Sequence, residues 1–372
     1  MRLTLVISTL NRGGAERVMS ILASAWAEEG KAVTILTLDH ETQPAYALHH
    51  SVKLTRLGLA TTSLNLFEAA TRNVLRLRAL RKAIRESGPD LVLSFMDSTN
   101  VLTLLATRGL GKPIIVSERT DPLNYDIGPI WSTLRRWTYG RASALVCQTD
   151  TVVQRFRGIT KTKGTAIPNP VVLSQTAFSH NDSSSPSPAK KTLITMGRLI
   201  PEKGFDLLLE SFAKIADRHL DWSLKILGGG PLQADLKSQA SALGLDGRVQ
   251  FLGEVQNPFP FLQSADLFVL CSRLEGFSNA LCEAMACGLP AISFDCPSGP
   301  SDIIRDGVDG VLVAPGDVHA MAAALDRLMG DAQERRRLAA RAPEVLKRFS
   351  LEKVLSLWEN LFKHVLREQF AK

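Results

Sequence analysis

Short apolar runs rich in branched residues alternate with helical stretches along this chain, and that alternation limits the possible folds more than any other feature. In the first half, RLTLVIS (2–8), AVTILTL (32–38), DLVLSFM (90–96), PIIVS (113–117) and SALVCQ (143–148) are apolar almost throughout. Runs of that kind are strands buried on both faces, as parallel strands are when helices cover them. Helical periodicity fills the intervals, as at 14–29 and 72–86. The alternation stops at FSHNDSSSPSPAKK (178–191), which is rich in Ser and Pro and has no apolar period. Such a stretch cannot bury enough surface to order itself and reads as a linker or exposed loop. The alternation then restarts. Strands are expected at 192–197, 222–228, 248–253, 266–272 and 290–294, with helices at 204–217, 231–243 and 279–287. The end reads as helical over 317–329, 331–347 and 351–370.

The fold class is therefore α/β, with two doubly wound, Rossmann-like parallel-sheet domains in tandem. A chain of 372 residues is too long for one ordinary domain and fits two. The expected division is a first domain at 1–177, a linker at 178–191, a second domain at 192–350 and a last helix at 351–372. Open parallel sheets bind ligands at the carboxyl ends of their strands. Two such domains facing each other would make a cleft, a preferred place for a ligand.

A hydrophobic content of 45% with 22% charged residues is that of a soluble globular protein with real cores. The apolar runs fall well short of the roughly 20 residues of a membrane span. The start, MRLTLVISTLNRGG, has no long apolar stretch or small-residue cleavage site and reads as a first strand. Five cysteines, Cys147, Cys271, Cys282, Cys287 and Cys296, form no CxxC pair. Their odd number suggests free thiols in a reducing compartment, where they serve as small buried hydrophobes.

Four glycine-bearing strand ends carry the chemistry. TLNRGGAERV (9–18) follows a strand and opens a helix. Gly13 and Gly14 allow a tight turn and a close approach, and the helix start behind them favours an anion. Alone, it is equally a plain strand–helix turn, and it is not a GxGxxG dinucleotide fingerprint. MGRLIPEKGFDLLLESF (196–212) places Arg198 and Lys203 at a strand's carboxyl end. Those two cations could clamp a diphosphate, although isolated surface cations are usually just solvated. EGFSNALCEAMACGLP (275–290) holds Glu275 and Glu283 in an otherwise small or apolar segment. Ser278 or Asn279 caps the helix, and Gly288 with Pro290 stops it. Glu275 then lies in the loop and Glu283 inside the helix, with a phosphate-ready N-terminus between them. Carboxylates on either side can accept hydrogen bonds from hydroxyls of a sugar and a ribose. The plainer alternative is a solvated loop acid and a helix acid paired with an arginine. GGGPLQADL (228–236) is a fourth strand end of the same type.

Together, GRL-x3-KG (197–204), the GGGP turn, V-x-FLG (249–253), the E-x7-E pair and DGVDGVLVAPGD (306–317) resemble glycosyltransferase family 4, of GT-B fold. IPNPV (167–171) resembles the end of that family's first domain. The resemblance runs over nearly the whole chain. It implies transfer of a sugar from a nucleotide donor, with retention of anomeric configuration and without a metal or other cofactor. It implies that Arg198 and Lys203 hold the diphosphate, that Glu275 binds hydroxyls of the donor sugar and that Glu283 binds the ribose. The backbone at Gly276, Phe277, Ser278 and Asn279 would meet the phosphate or the sugar. Leu252 and Gly253 would lie near the base, expected to be uracil, and Gly13 and Gly14 would close over the phosphates. It also implies that the last helix crosses back to the first domain. One departure is visible. Many members carry a histidine beside the reacting sugar, where PIIVSERTDP (113–122) has Arg119 after Glu118. Arg119 and Asp97 are assigned to the acceptor or leaving-group side. CPSGPSDII (296–304) looks like a subgroup that adds N-acetylhexosamine or galactose units to bacterial surface polysaccharides and lipid-linked oligosaccharides.

The charge is unevenly placed. Residues 1–168 hold 22 Lys and Arg against 13 Asp and Glu, so +9, and the remainder is −2. The basic half points to an anionic partner. RNVLRLRALRKAIRE (72–86) sets Arg78, Lys82 and Arg85 beside an apolar stripe of Val74, Leu77, Leu80 and Ile84. PIWSTLRRWTYGR (129–141) mixes Trp131, Trp137 and Tyr139 with Arg135, Arg136 and Arg141. Aromatic and basic helices suit an anionic lipid surface, and an ordinary helix packed on the sheet with a solvated face is the alternative. The expectation is a cytoplasmic protein, peripheral on the inner membrane, with a glycan or lipid-diphosphate-linked sugar as acceptor. No RNA-binding motif or recognition helix argues for nucleic acid. The competing functions are a GT-B-fold nucleotide-sugar epimerase and a two-domain sugar-binding protein without catalysis.

Overall fold

The structure is a computed structural model that describes residues 1–40, 43–59, 66–173 and 190–370. The chain divides into two compact units, Met1–Asn169 with Glu352–Lys372, and Pro170–Leu351. Each is built on one wholly parallel sheet.

The first unit contains β1 (Arg2–Ile7), β2 (Ala32–Thr37), β3 (Lys53–Arg56), β4 (Leu91–Phe95), β5 (Ile114–Ser117), β6 (Ala144–Cys147) and β7 (Gly164–Ala166). The spatial order is β3-β2-β1-β4-β5-β6-β7. β4, β5 and β6 are buried at every position, which is why they read as unbroken apolar runs. The helices are α1 (Gly14–Glu28), α2 (Leu66–Ser87), α3 (Asp97–Ala106), α4 (Pro129–Thr138) and α5 (Asp150–Phe156). Four of these elements escape the sequence reading, the short α5 among them. β3 (KLTR) and β7 (GTA) are short and half-buried, without an apolar run. α3 opens with Asp-Ser-Thr-Asn, residues that usually mark a cap or a loop.

The second unit contains β8 (Lys191–Met196), β9 (Trp222–Leu227), β10 (Val249–Gly253), β11 (Leu267–Leu270), β12 (Ala291–Phe294) and β13 (Gly310–Val313). Their order is β10-β9-β8-β11-β12-β13, the same winding as in the first unit. Neighbouring residues alternate between two cores. Leu193, Leu267 and Val269 face one, while Ile194, Phe268 and Leu270 face the other. The helices are α6 (Phe205–Ala213), α7 (Gln233–Ala242), α8 (Phe259–Gln263), α9 (Asn279–Ala286), α10 (Pro300–Ile303), α11 (Val318–Gly330), α12 (Ala332–Ala339) and α13 (Glu344–Arg348). The helix expected at 204–217 ends at Ala213 and passes into a single 3-10 turn at Ala216–Arg218. The helix expected at 331–347 is two helices. Pro343 caps the second, and a proline ring there cannot follow three turns of continuous helix without displacing a carbonyl.

The chain ends in α14 (Leu351–Phe370). Trp358 and Phe362 are buried against Trp26 of α1, with ring centroids 6.0 and 5.2 Å from that of Trp26. Lys31 adds an ion pair to Glu359 at 2.8 Å. These contacts place α14 in the first unit. Of the expected linker 178–191, residues 178–189 lie outside the described residues, and Lys191 already opens β8.

In both sheets the strand order reverses once, between β1 and β4 and between β8 and β11. At such a reversal the following loops diverge to opposite faces and leave a crevice at the carboxyl ends.

Candidate active site

The second unit's crevice is built by glycines. Gly228 N–H donates to Gly253 O at 2.7 Å, Gly197 N–H to Leu227 O at 3.0 Å and Leu199 N–H to Gly229 O at 2.9 Å. These bonds tie the ends of β8, β9 and β10 together. Gly204 has φ +64°, and a Cβ there would stand 2.1 Å from Cys271 O. No other residue lets the loop after β8 lie against the end of β11. Arg273 sews the same loops from outside. It donates to Pro201 O at 2.9 Å and forks onto Asp206 at 2.7 and 2.5 Å. That guanidinium holds the Asp206 carboxyl below its ordinary range.

Lys203 is thereby delivered to Glu275. Its Nζ donates to Glu275 Oε1 at 2.6 Å, and Ser272 Oγ donates to the same oxygen at 2.7 Å. Ser298 Oγ donates to the Glu275 carbonyl at 2.6 Å, fixing the loop. The Glu275 side chain is 7% exposed and that of Lys203 24%. Glu275 Oε2 takes no hydrogen bond from a described residue, so one acceptor oxygen stays open in a nearly dry place. Arg198, in the same loop, is exposed, and its guanidinium has no partner among the described residues. The two cations are thus not equivalent, one being paired and the other open.

Directly after Glu275 the chain enters α9. Ser278, not Asn279, is the cap, accepting from Leu281 N–H at 3.4 Å. Gly276 precedes it half-buried, and Asn279 is the first helical residue. The Phe277 side chain is buried, edge-on to Phe349 at 5.1 Å, so only its backbone faces the crevice chemistry. Glu283 lies one turn into α9 and is buried. Leu252 packs on the apolar core, and Gly253 ends β10 at φ +70°. Cys271 donates its thiol to Lys203 O at 3.2 Å, and burial pushes its pKa up to about 12. All five cysteines are free thiols. Among the described residues no group of three His, Cys, Asp or Glu side chains could hold a metal ion.

In the first unit, Gly13 caps α1 in extended conformation and Gly14 is its first residue. Asp97 opens α3 and accepts from Ser98 N–H at 2.5 Å. Arg119 follows β5 and is buried. Glu118 turns inward, where Tyr139 donates to its Oε1 and Arg135 Nη1 stands 3.9 Å away. This corrects the reading of 129–141 as one aromatic and basic surface. Arg135 and Tyr139 are buried because they serve Glu118, and Trp131 packs on the core. Trp137, Arg136 and Arg141 remain exposed, with the Arg141 guanidinium 4.2 Å from the Trp137 ring centre.

Sequence reasoning missed Ser272, Ser298 and the Arg273–Asp206 fork. Ser272 stands three residues before Glu275, a spacing that could have signalled it. Asp206 and Arg273 are far apart in the chain, and nothing in the sequence joins them.

Comparison with known proteins agrees with this geometry. The description "Glycosyltransferase Family 4" matches residues 12–175, and "Glycosyl transferases group 1" matches residues 179–345. The chain is 32% identical to the GalNAc-alpha-(1->4)-GalNAc-alpha-(1->3)-diNAcBac-PP-undecaprenol alpha-1,4-N-acetyl-D-galactosaminyltransferase of Campylobacter jejuni, over 98% of this chain and 99% of the relative. Among solved structures, sucrose-phosphate synthase from Thermosynechococcus elongatus superimposes with a TM-score of 0.83 at 18% identity, covering 99% of both chains. Anabaena HepE, solved with UDP and glucose, superimposes with a TM-score of 0.76 at 18% identity, covering 96% of this chain and 98% of HepE. Two parallel-sheet units of this winding, each matched by one of the family descriptions, and a relative 32% identical over 98% of the chain mean that the chain belongs to glycosyltransferase family 4 and is a GT-B-fold glycosyltransferase.

Proposed function

We propose that the enzyme moves a hexose or N-acetylhexosamine from a UDP-linked donor, with retention and without a metal, to a glycan acceptor carried on a lipid diphosphate. The observation that carries this reading is the Lys203–Glu275 pair at 2.6 Å, set beside the capped start of α9 at the second sheet's reversal point. A nucleotide diphosphate needs positive charge. Arg198 offers a free guanidinium and Lys203 an ammonium with two protons beyond the one on Glu275. The backbone at Gly276–Asn279 adds N–H donors at a helix start. Glu275 Oε2 is an open acceptor for a sugar hydroxyl, and Glu283 is the acid for the ribose. Leu252 and Gly253 lie at the end of β10, the side assigned to the base. Gly13 and Gly14, at the start of α1, are the glycines assigned to a donor phosphate, with the Glu16 carboxylate standing against Gly13. As the leaving diphosphate gains charge, fixed cations stabilise it, which is the role a metal plays elsewhere.

The donor and acceptor classes draw support from relatives. HepE was solved with UDP and glucose, and the Campylobacter relative acts on an undecaprenol diphosphate glycan. We place Asp97 and Arg119 on the acceptor or leaving-group side. The enzyme works as a peripheral protein on the anionic cytoplasmic leaflet, held by its basic first unit. No described helix is long and apolar enough to cross a membrane.

Thermal-shift screening against UDP-, GDP- and ADP-sugars tests the donor, followed by turnover on a lipid-diphosphate glycan with the product's anomeric configuration read by NMR. Stabilisation by a UDP-sugar and an α-linked product are expected from an α-linked donor. No stabilisation by any nucleotide sugar, or release of an altered free sugar without acceptor, overturns the proposal.

A further inference from the structure

Arg119 is a buried cation that no carboxylate of a described residue contacts. It is 9% exposed, and it forms no ion pair with a described residue. Its guanidinium lies over the Phe95 ring at 3.7 Å, so one face is covered. Nη1 donates to Asn169 Oδ1 at 2.8 Å, and Gln148 Nε2 donates to the same oxygen at 3.0 Å. Nε and Nη2 have no acceptor. Glu118, the next residue, does not supply one, because its Oε1 is turned to Tyr139 and Arg135. Burial pulls the Arg119 pKa down only to about 9, so the group stays charged at neutral pH.

The two unmatched atoms are not arbitrary. Nε–H and Nη2–H point the same way and form one edge of the planar guanidinium. That edge takes two oxygens of one tetrahedral or planar anion side by side. Phe95, Arg119, Gln148 and Asn169 come from just after or at the carboxyl ends of β4, β5, β6 and β7. This is the end of a parallel sheet at which ligands bind. A desolvated cation with two unused donors is costly unless an anion completes it.

We infer that Arg119, stacked on Phe95 and steered by the Gln148–Asn169 pair, is a bidentate clamp for two oxygens of one substrate phosphate. The inference rests on the glycosyltransferase reading above, in which both the donor and the lipid-linked acceptor carry a diphosphate. Asn169 fixes the ring plane by taking one Nη1 proton, and the Nε–Nη2 edge is left for the ligand. Arg119, where the family resemblance led to the expectation of a histidine, is thus a phosphate reader and not a proton carrier.

Inorganic pyrophosphate is the probe, titrated calorimetrically into the full chain. Wild type is expected to bind pyrophosphate both at Arg119 and at the Arg198–Lys203 loop. Arg119→Met and Arg119→Lys should each weaken the first binding at least tenfold and leave the second unchanged. Arg119→Lys keeps the charge and removes the fork, so it carries the test if Arg119→Met fails to fold. A melting temperature for Arg119→Met close to that of wild type is expected, since the substitution removes an unpaired buried charge. Saturating UDP separates the two phosphate sources. If pyrophosphate still binds at Arg119, the clamp reads the acceptor's phosphate. If UDP displaces it and UDP binds Arg119→Lys at least tenfold more weakly, the clamp reads the donor's. Pyrophosphate and UDP binding equal to wild type in both variants overturns the clamp. Binding that depends on Arg119 but not on Arg198 or Lys203 keeps the clamp and removes the donor-site reading.

Discussion

Lys203 and Glu275, 72 residues apart in the chain, meet at 2.6 Å across the loops that follow β8 and β11. In the proposed function the pair would let one site hold a carboxylate and a diphosphate together. Without Lys203, a buried Glu275 would repel the donor's phosphates. Without Glu275, Lys203 would keep its charge but lose its position.

The two substitutions therefore separate. Lys203→Ala should weaken UDP binding by about tenfold to a hundredfold, the loss of one charge-assisted hydrogen bond of about 1.5–3 kcal/mol. Arg198→Ala should do the same. Glu275→Ala should abolish most turnover while UDP still binds, because the proposed function gives Glu275 to the donor sugar and not to the diphosphate. Calorimetry with UDP and a product assay decide this. Turnover near wild type in both Lys203→Ala and Glu275→Ala would sink the site assignment.

Gly204 makes the pair possible, and a methyl group should undo it. At φ +64° any L side chain costs about 1–2 kcal/mol. At Gly204 the new Cβ would also meet Cys271 O at 2.1 Å, and a backbone carbonyl cannot swing away as a side-chain tip can. Gly253 has φ +70° but open space around it. Gly253→Ala should therefore cost about 1 kcal/mol and Gly204→Ala at least twice that, with UDP binding lost along with stability. Urea midpoints of the two variants test the contrast, and equal losses would contradict it.

The features legible in the sequence were those that local chemistry writes in one segment. β4, β5, β6 and β12 are buried on both faces, so all of their residues except Ser94, Ser117 and Ser293 are apolar, and the sheet pattern followed. Ser278 caps α9 by the ordinary rule for hydroxyl residues, which is why Glu275 and Glu283 could be split between loop and helix. What stayed hidden was set by distant contacts. Tyr139 and Arg135 look like surface residues until Glu118 is seen behind them. Lys203 looks like a free cation until β11 brings Glu275 to it. β3 carries no apolar run because its position at the sheet edge leaves it half-exposed.

The exposed basic face of α2 should bind anionic lipid. Leu80 and Ile84 are buried and Leu77 half-buried, while Arg78, Lys82 and Arg85 are exposed, with Val74 at 45% exposure. Trp137 at 55% and Ile130 at 63% add apolar anchors from α4. Each basic residue near an anionic leaflet contributes about 1 kcal/mol. Changing Arg78, Lys82 and Arg85 together to Glu should cut binding to anionic vesicles at least a hundredfold in flotation at low salt. Wild-type binding that survives high salt unchanged, or never occurs at low salt, would refute the membrane role.

Trp358 anchors α14 to the first unit. It is edge-on to Trp26, with an interplanar angle of 89°, and stacked 6.5 Å from Phe95. Trp358→Ala should cost about 3–5 kcal/mol through lost burial and the cavity left behind. Because Phe95 also underlies Arg119, the variant should weaken pyrophosphate binding as well. Denaturation and calorimetry on the same sample check both, and a cost below about 1 kcal/mol would mean that α14 packs only loosely.

Glu118 should make stability fall as pH rises. Burial raises its pKa from an ordinary 4.5 to about 7, and Asp97 adds to the rise. Tyr139, Arg135 and Arg119 pull it back in part, and Cys147 is the remaining titratable neighbour. Between those two values the folded chain binds more protons at this site than the unfolded chain does. Stability is then greatest below about pH 4.5 as far as this group is concerned, declines through about pH 7 and is flat beyond. The full difference is on the order of 3 kcal/mol. Asp206 and Asp221 act with the opposite sign at lower pH, since Arg273 and Lys191 depress their pKa values, and they cancel when a variant is compared with wild type. Glu118→Gln cannot titrate, so the wild-type loss between pH 5 and pH 8 should be absent from it. Chemical denaturation at both pH values measures the difference, and parallel slopes for the two proteins would show that Glu118 is ionised in the folded chain throughout.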